Sequence, residues 1–72
     1  MKVYKRIRDL REDKDLSQTE IANALNITQR SYSYYENGKR MISPEILSAI
    51  AKFHNVSVDY LLELTDNPTP QE

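Results

Sequence analysis

Between Thr28 and Gly38 the chain reads TQRSYSYYENG. At about 100° per residue this segment forms a two-faced helix. Gln29, Arg30, Ser33, Tyr34 and Asn37 share one arc, while Tyr32 and Tyr35 lie on the opposite side with Ser31. The first arc is rich in hydrogen-bonding groups and poor in apolar ones. An α-helix fits the major groove of a DNA duplex, where Gln pairs bidentately with adenine and Arg with guanine. The same residues would serve equally as an ordinary solvated face, so the surrounding sequence has to decide. Tyrosines at 32, 34 and 35 also suggest a platform for stacked bases. Their spacing argues otherwise, because Tyr32 and Tyr35 are needed as core, and Tyr34 alone is left outward to meet sugar-phosphate or a thymine methyl.

Short helices are what could hold such an arc in place. Ser17 and Thr28 are helix-start residues eleven apart. Ser17 has Glu20 three positions on, the capping box in which hydroxyl and carboxylate each satisfy an orphan amide. Ile21, Ala22 and Leu25 then form a buried edge, and Asn26 tolerates the left-handed conformation of a tight turn. The third helix stops at Gly38, the only glycine, suited to the positive φ of a helix end. Ser43 caps a fourth helix with Pro44 at its first position, where the missing amide costs nothing. Ile46, Leu47, Ile50, Ala51 and Phe53 supply its apolar stripe. Ser57 opens a fifth helix carrying Asp59, Leu61 and Leu62, and a first one is expected over residues 3–13 with Ile7 and Leu10 inward, and Val3 or Tyr4 one turn earlier. No segment alternates with the period of a strand, so the class is all-α. Residues 1–65 form the domain, and 66–72, with two prolines and no apolar side chain, read as a flexible tail.

Seventy-two residues support one small domain, which hides only ~60% of its unfolded surface and needs an efficient core or a partner. Without cysteine there is no disulfide and no thiolate metal site. No apolar run is long enough to span a membrane, and no leader-like segment follows Met1, so the expected location is cytoplasmic. Net charge is −1, but it is unevenly spread. Lys2, Lys5, Arg6, Arg8 and Arg11 crowd the start, Arg30, Lys39 and Arg40 flank the third helix, and acids dominate beyond Glu45. A basic face can hold phosphate locally despite a balanced total, because contacts act within a Debye length of ~8 Å.

Leu16-Ser17-Gln18, Glu20-Ile21-Ala22, Leu25, Ile27-Thr28 and Tyr35-Glu36-Asn37-Gly38-Lys39-Arg40 resemble the helix-turn-helix family of lambdoid phage repressors and Cro proteins, also called the XRE family. The likeness continues through Leu47, Ile50-Ala51 and Val56 to Leu62. It implies a five-helix, lambda-repressor-like domain with the helix-turn-helix at helices two and three, binding double-stranded operator DNA as a homodimer to regulate transcription, most simply as a repressor. Position by position it implies that Gln29, Arg30 and Ser33 read bases with Tyr34 at the groove edge. It likewise gives backbone phosphates to Gln18, Thr28, Asn37, Lys39 and Arg40. Arg11 and Glu36 match a structural salt bridge of family members, although spacing alone leaves them equally as two separate surface charges. Asn26 stands where a turn glycine is usual and Ile42 where proline is frequent.

Tyr60 and Leu64 are expected partly outward, either as a dimer contact or as cover for the rim of the core. A protein antirepressor could act as a partner of such a regulator, and two other functions share the fold: an antitoxin that also represses its own operon, with a toxin as partner, and an adaptor that binds only protein. Catalysis is not expected, nor any cofactor or metal. His54 is the single histidine and has no companion at ligand spacing; a helix-end dipole or the edge of the core explains it.

Overall fold

The computed structural model describes residues 3–70. Met1, Lys2, Gln71 and Glu72, including one of the expected N-terminal cations and the last residues of the expected tail, lie outside them. Five helices follow in order: α1 (Lys5–Asp13), α2 (Gln18–Ala24), α3 (Gln29–Glu36), α4 (Pro44–His54) and α5 (Val58–Leu61), with no strand among the described residues. The caps fall where the sequence puts them. Ser17, Thr28, Ser43 and Ser57 each accept a backbone amide three residues on, and Ser17 completes the capping box with Glu20. Its hydrogen bonds hold the Glu20 carboxyl below its usual pKa.

All five helices stop in the same way. After each, a left-handed residue lets the chain bond back to the last turn: Asp15 (φ 57°), Asn26 (59°), Gly38 (73°), Asn55 (56°) and Glu63 (62°). Each stop pairs a bond from the left-handed residue to the third residue back with one from its successor to the fifth residue back, such as Asn26 to Asn23 and Ile27 to Ala22. This is the Schellman arrangement. Asn26 and Gly38 meet expectation, Asp15 is of a type that tolerates this region, and Glu63 carries a side chain that disfavours it by ~1–2 kcal/mol.

Ile7, Ile21, Tyr32, Ile50 and Leu61 are fully buried, one from each helix, and Ala22, Ala51 and Val56 complete the core. Burying such a side chain contributes ~1.5–3 kcal/mol. Ala22 is fully enclosed and small, as needed where α2 packs on α3. Four sequence expectations change here. α1 begins at Lys5, not near residue 3, with Tyr4 as its cap; of the two residues expected inward one turn before Ile7, Tyr4 packs on the core and Val3 is half exposed. Phe53 lies on the flank of α4, beside solvent, and His54 fills the last buried place of that stripe at 6% exposure. Tyr35 is only half-buried and outside the core, because Tyr32 and Glu36, four apart, occupy the inward direction of α3. Tyr34, expected to stand free, is also half-buried.

The chain beyond α5, including the first part of the expected tail 66–72, makes contacts at two points. Arg6 donates to the carbonyls of Tyr60, at 2.9 Å, and Thr65, and pairs with Asp66 at 2.8 Å. Its guanidinium also lies 4.2 Å from the Tyr60 ring centroid. Further on, the Ser57 amide donates to the Pro68 carbonyl at 3.0 Å.

Neither ring nitrogen of His54 has a hydrogen-bond partner, and Phe53 meets the ring edge-on at 5.0 Å. Burial, with the Lys14 ammonium nearby, pushes its pKa down to about 4 from an ordinary 6.5. Core edging, not attraction to the helix dipole, therefore explains this residue. The unfolded chain takes up the proton first as pH falls, so stability present above pH 6.5 is lost progressively towards about 4. Urea unfolding across that window should show the midpoint falling with acidity, and His54→Leu should flatten the fall. An equal slope in both proteins would exclude His54 as its source.

Candidate nucleic-acid interface

The outward arc of α3 is anchored by a carboxylate buried beneath it. Glu36 closes the helix with only 4% exposure. Arg11, from α1, grips it through two parallel bonds, Nε to Oε2 at 2.9 Å and Nη2 to Oε1 at 3.0 Å, and gives its Nη1 to the Leu16 carbonyl at 2.7 Å. α1, the loop before α2 and α3 are thus tied at one guanidinium. Burial alone would raise the Glu36 pKa, but the bonds from Arg11 and Gln18 prevail and hold it below its usual value. The same contact raises that of Arg11. The Tyr32 hydroxyl is enclosed beside the pair without hydrogen-bond geometry to it, and burial and then the neighbouring carboxylate push its ionisation upward.

From Glu36 a chain of amides runs outward. Gln18 Nε2, at the start of α2, donates to Glu36 Oε1 at 3.3 Å, and Gln29 Nε2, at the start of α3, donates to Gln18 Oε1 at 2.8 Å. A carboxylate can only accept, so Gln18 must turn its NH2 inward and its carbonyl outward. Gln29 must then offer its NH2 to that carbonyl. What remains on the exposed Gln29 is one N–H donor and the Oε1 acceptor.

Other predicted positions gather round this pair. Arg30 is exposed one residue on, and Ser33, half-buried, accepts from Asn37 Nδ2 at 3.2 Å. Thr28 caps α3, and its hydroxyl donates to Ser31 Oγ at 3.0 Å. At the far end Gly38 and Lys39 bond back to the carbonyls of Tyr35 and Tyr34, and the exposed Lys39 and Arg40 follow. The Arg40 guanidinium lies 5.3 Å from the Tyr34 ring centroid, which accounts for Tyr34 being partly covered. Tyr60 and Leu64 stand apart from this arc, at α5 and just beyond it. Tyr60 is engaged by Arg6, while Leu64 is 72% exposed.

Two of the N-terminal cations are committed to the fold. Arg6 and Arg11 spend their donors on internal acceptors, and Arg8 lies 3.4 Å from Glu12 on the same helix. Charge counting missed this, since it cannot tell a guanidinium facing solvent from one facing a carbonyl. The role of Gln18 as a link between two helices was missed as well, and only its spacing of eleven from Gln29 hinted at it. Among the described residues no group of His, Cys, Asp or Glu is placed to hold a metal ion, and no helix is long and apolar enough to cross a membrane.

Residues 7–61 match the Helix-turn-helix family, HTH_3. The chain is 36% identical over 66 residues to the HTH-type transcriptional regulator YobD of Bacillus subtilis, covering 92% of this chain and 59% of that one. It is 37% identical over 57 residues to the cryptic phage CTXphi transcriptional repressor RstR of Vibrio cholerae, covering 79% and 51%. It is also 42% identical over 55 residues to the antitoxin PezA of Streptococcus pneumoniae, covering 76% and 35%. The chain therefore spans between about a third and three fifths of the length of these relatives. It belongs to the helix-turn-helix family. The family match covers both helices that carry the outward polar arc and the carboxylate that braces it.

Removing the Glu36 carboxylate strands Arg11 at 13% side-chain exposure. Breaking one partner of a buried pair costs ~3–5 kcal/mol, close to the whole stability of a small domain. Glu36→Ala should therefore lower the urea midpoint sharply, whereas Gln18→Ala should lower it little. A mild effect of Glu36→Ala would show that the pair does not brace α3.

Proposed function

We propose that this chain is a sequence-specific repressor that binds operator DNA as a two-fold homodimer. In this reading α3 lies in the major groove and α2 crosses the phosphate backbone. Gln29, Arg30 and Ser33 face base edges with Tyr34 at the rim of the groove. Gln18, Thr28, Asn37, Lys39 and Arg40 contact the flanking phosphates. The observation that carries it is the polarity of Gln29. An amide with one N–H and one acceptor presented together matches the N7 acceptor and N6 donor of adenine, and guanine offers no such pair. Arg30 beside it supplies the fork that suits guanine O6 and N7.

A single α3 reads too few base pairs for useful selectivity. Two copies would address half-sites one helical turn apart, ~34 Å centre to centre. Leu64 is the contact proposed between the copies, with Tyr60 behind it, since an exposed leucine on a backbone held by Arg6 is a low-entropy surface for self-association. Identity to PezA supports a second reading, an antitoxin that also represses its own operon. In that case a toxin partner would be found through the same chain.

Selection of bound duplexes from a random pool tests the reading. The expected product is a palindrome whose half-sites contain adenine and guanine at adjacent steps, bound with an affinity that falls steeply as salt rises. Arg30→Ala should then cost ~1–3 kcal/mol at one base position. Equal weakening on every sequence would move Arg30 to the phosphates, and no enrichment at low salt would overturn DNA reading altogether. Leu64→Asp should convert the dimer to monomer in sedimentation and weaken full operators far more than half-sites. An unchanged sedimentation coefficient would remove Leu64 from the interface.

A further inference from the structure

We propose that Arg40 is a positioning residue for Tyr34, coupling the phosphate-facing loop to the base-facing helix. This rests on the reading of α3 as the groove helix and goes beyond it by giving Arg40 a part in selectivity, where a phosphate clamp would have none.

Two independent features fasten Tyr34 to that loop. Its carbonyl accepts the Lys39 amide at 2.9 Å, the bond of the Schellman stop that reaches further back along the chain, with Gly38 at φ 73° making the reversal possible. Its ring is met by the Arg40 guanidinium at 5.3 Å from the centroid. A Schellman stop is commonly sealed by an apolar contact across the turn. Here a cation over a ring takes that place, one residue further on. Tyr34 lies on the outward arc and outside the core, with Arg40 placed against its ring. Stacking uses the flat face of a guanidinium and leaves its N–H edge for a phosphate. One side chain thus holds the ring while touching the backbone of the duplex, and Tyr34 keeps one orientation at the groove rim. Lys39, exposed and adjacent, has a charge but no such ring, which makes it the natural control.

The test compares Lys39→Ala, Arg40→Ala, Tyr34→Ala and the Arg40→Ala/Tyr34→Ala double variant, each confirmed folded by circular dichroism. Binding is measured on the selected operator, on single-base variants of it and on mixed-sequence duplex. Lys39→Ala should weaken all duplexes alike. Arg40→Ala should in addition lose about two- to five-fold in discrimination at the base step next to Tyr34, the ratio that corresponds to a cation–π contact. Once Tyr34 is alanine, Arg40→Ala should cost no further discrimination. If Arg40→Ala behaves like Lys39→Ala and its effect adds fully to that of Tyr34→Ala, Arg40 is a clamp only. A second measurement needs no DNA: the Arg40 side-chain NH resonance of the free protein should be shifted upfield by the ring, keep that shift in Tyr34→Phe and lose it in Tyr34→Leu. An unshifted resonance overturns the proposal even if the operator is read as described, while a shifted resonance in a protein with no sequence preference would overturn the function and leave this contact standing.

Discussion

A buried carboxylate governs this molecule. Glu36 sits at the end of α3 with almost no access to water, and an unpaired charge there would be prohibitive. Arg11 meets that requirement with two bonds, Gln18 with a third. The carboxylate and its two partners come from α3, α1 and α2, so the arrangement that relieves one charge also fixes the mutual placement of three helices. Stability and presentation are therefore set by the same atoms. The carboxylate has acceptors only, and this one-sidedness propagates through Gln18 to decide which way Gln29 turns.

Much of this was legible beforehand because helix boundaries in so small a chain are written in local chemistry. Serine and threonine caps, a capping box and a proline at the first helical position act within three or four residues, and all of them took effect where they were read. The turn at Asn26 and the stop at Gly38 were visible for the same reason. Asp15 and Glu63 were not, since an aspartate among neighbouring charges is a weak signal for a left-handed backbone and a glutamate is none. Their conformation is imposed by where the next helix must begin, a long-range demand that no local signal encodes.

Side-chain commitments were harder to read than helices. A stripe at helical spacing does not say whether a tyrosine or a glutamate takes the inward position, and on α3 the glutamate displaced Tyr35 from the core. On α4 a histidine took a place expected of Phe53. The basic cluster at the start of the chain looked like one phosphate-facing patch, yet Arg6 fastens the segment beyond α5 and Arg11 fastens α3. Counting charges gives the sign of a face only when every cation on it points to solvent. What the sequence did convey about the interface was the polar arc itself, with Gln29 and Arg30 exposed at its leading edge.

The central claim, that this braced arc is the surface offered to a duplex, is tested most directly by titrating a selected palindromic oligonucleotide into isotope-labelled protein. Side-chain and backbone resonances would be followed by nuclear magnetic resonance. The account predicts the largest changes at Gln29, Arg30, Ser33 and Lys39, with the Gln18 amide shifting while its bond to Glu36 persists. Changes confined to α4 and α5, or none at the leading edge of α3, would contradict it.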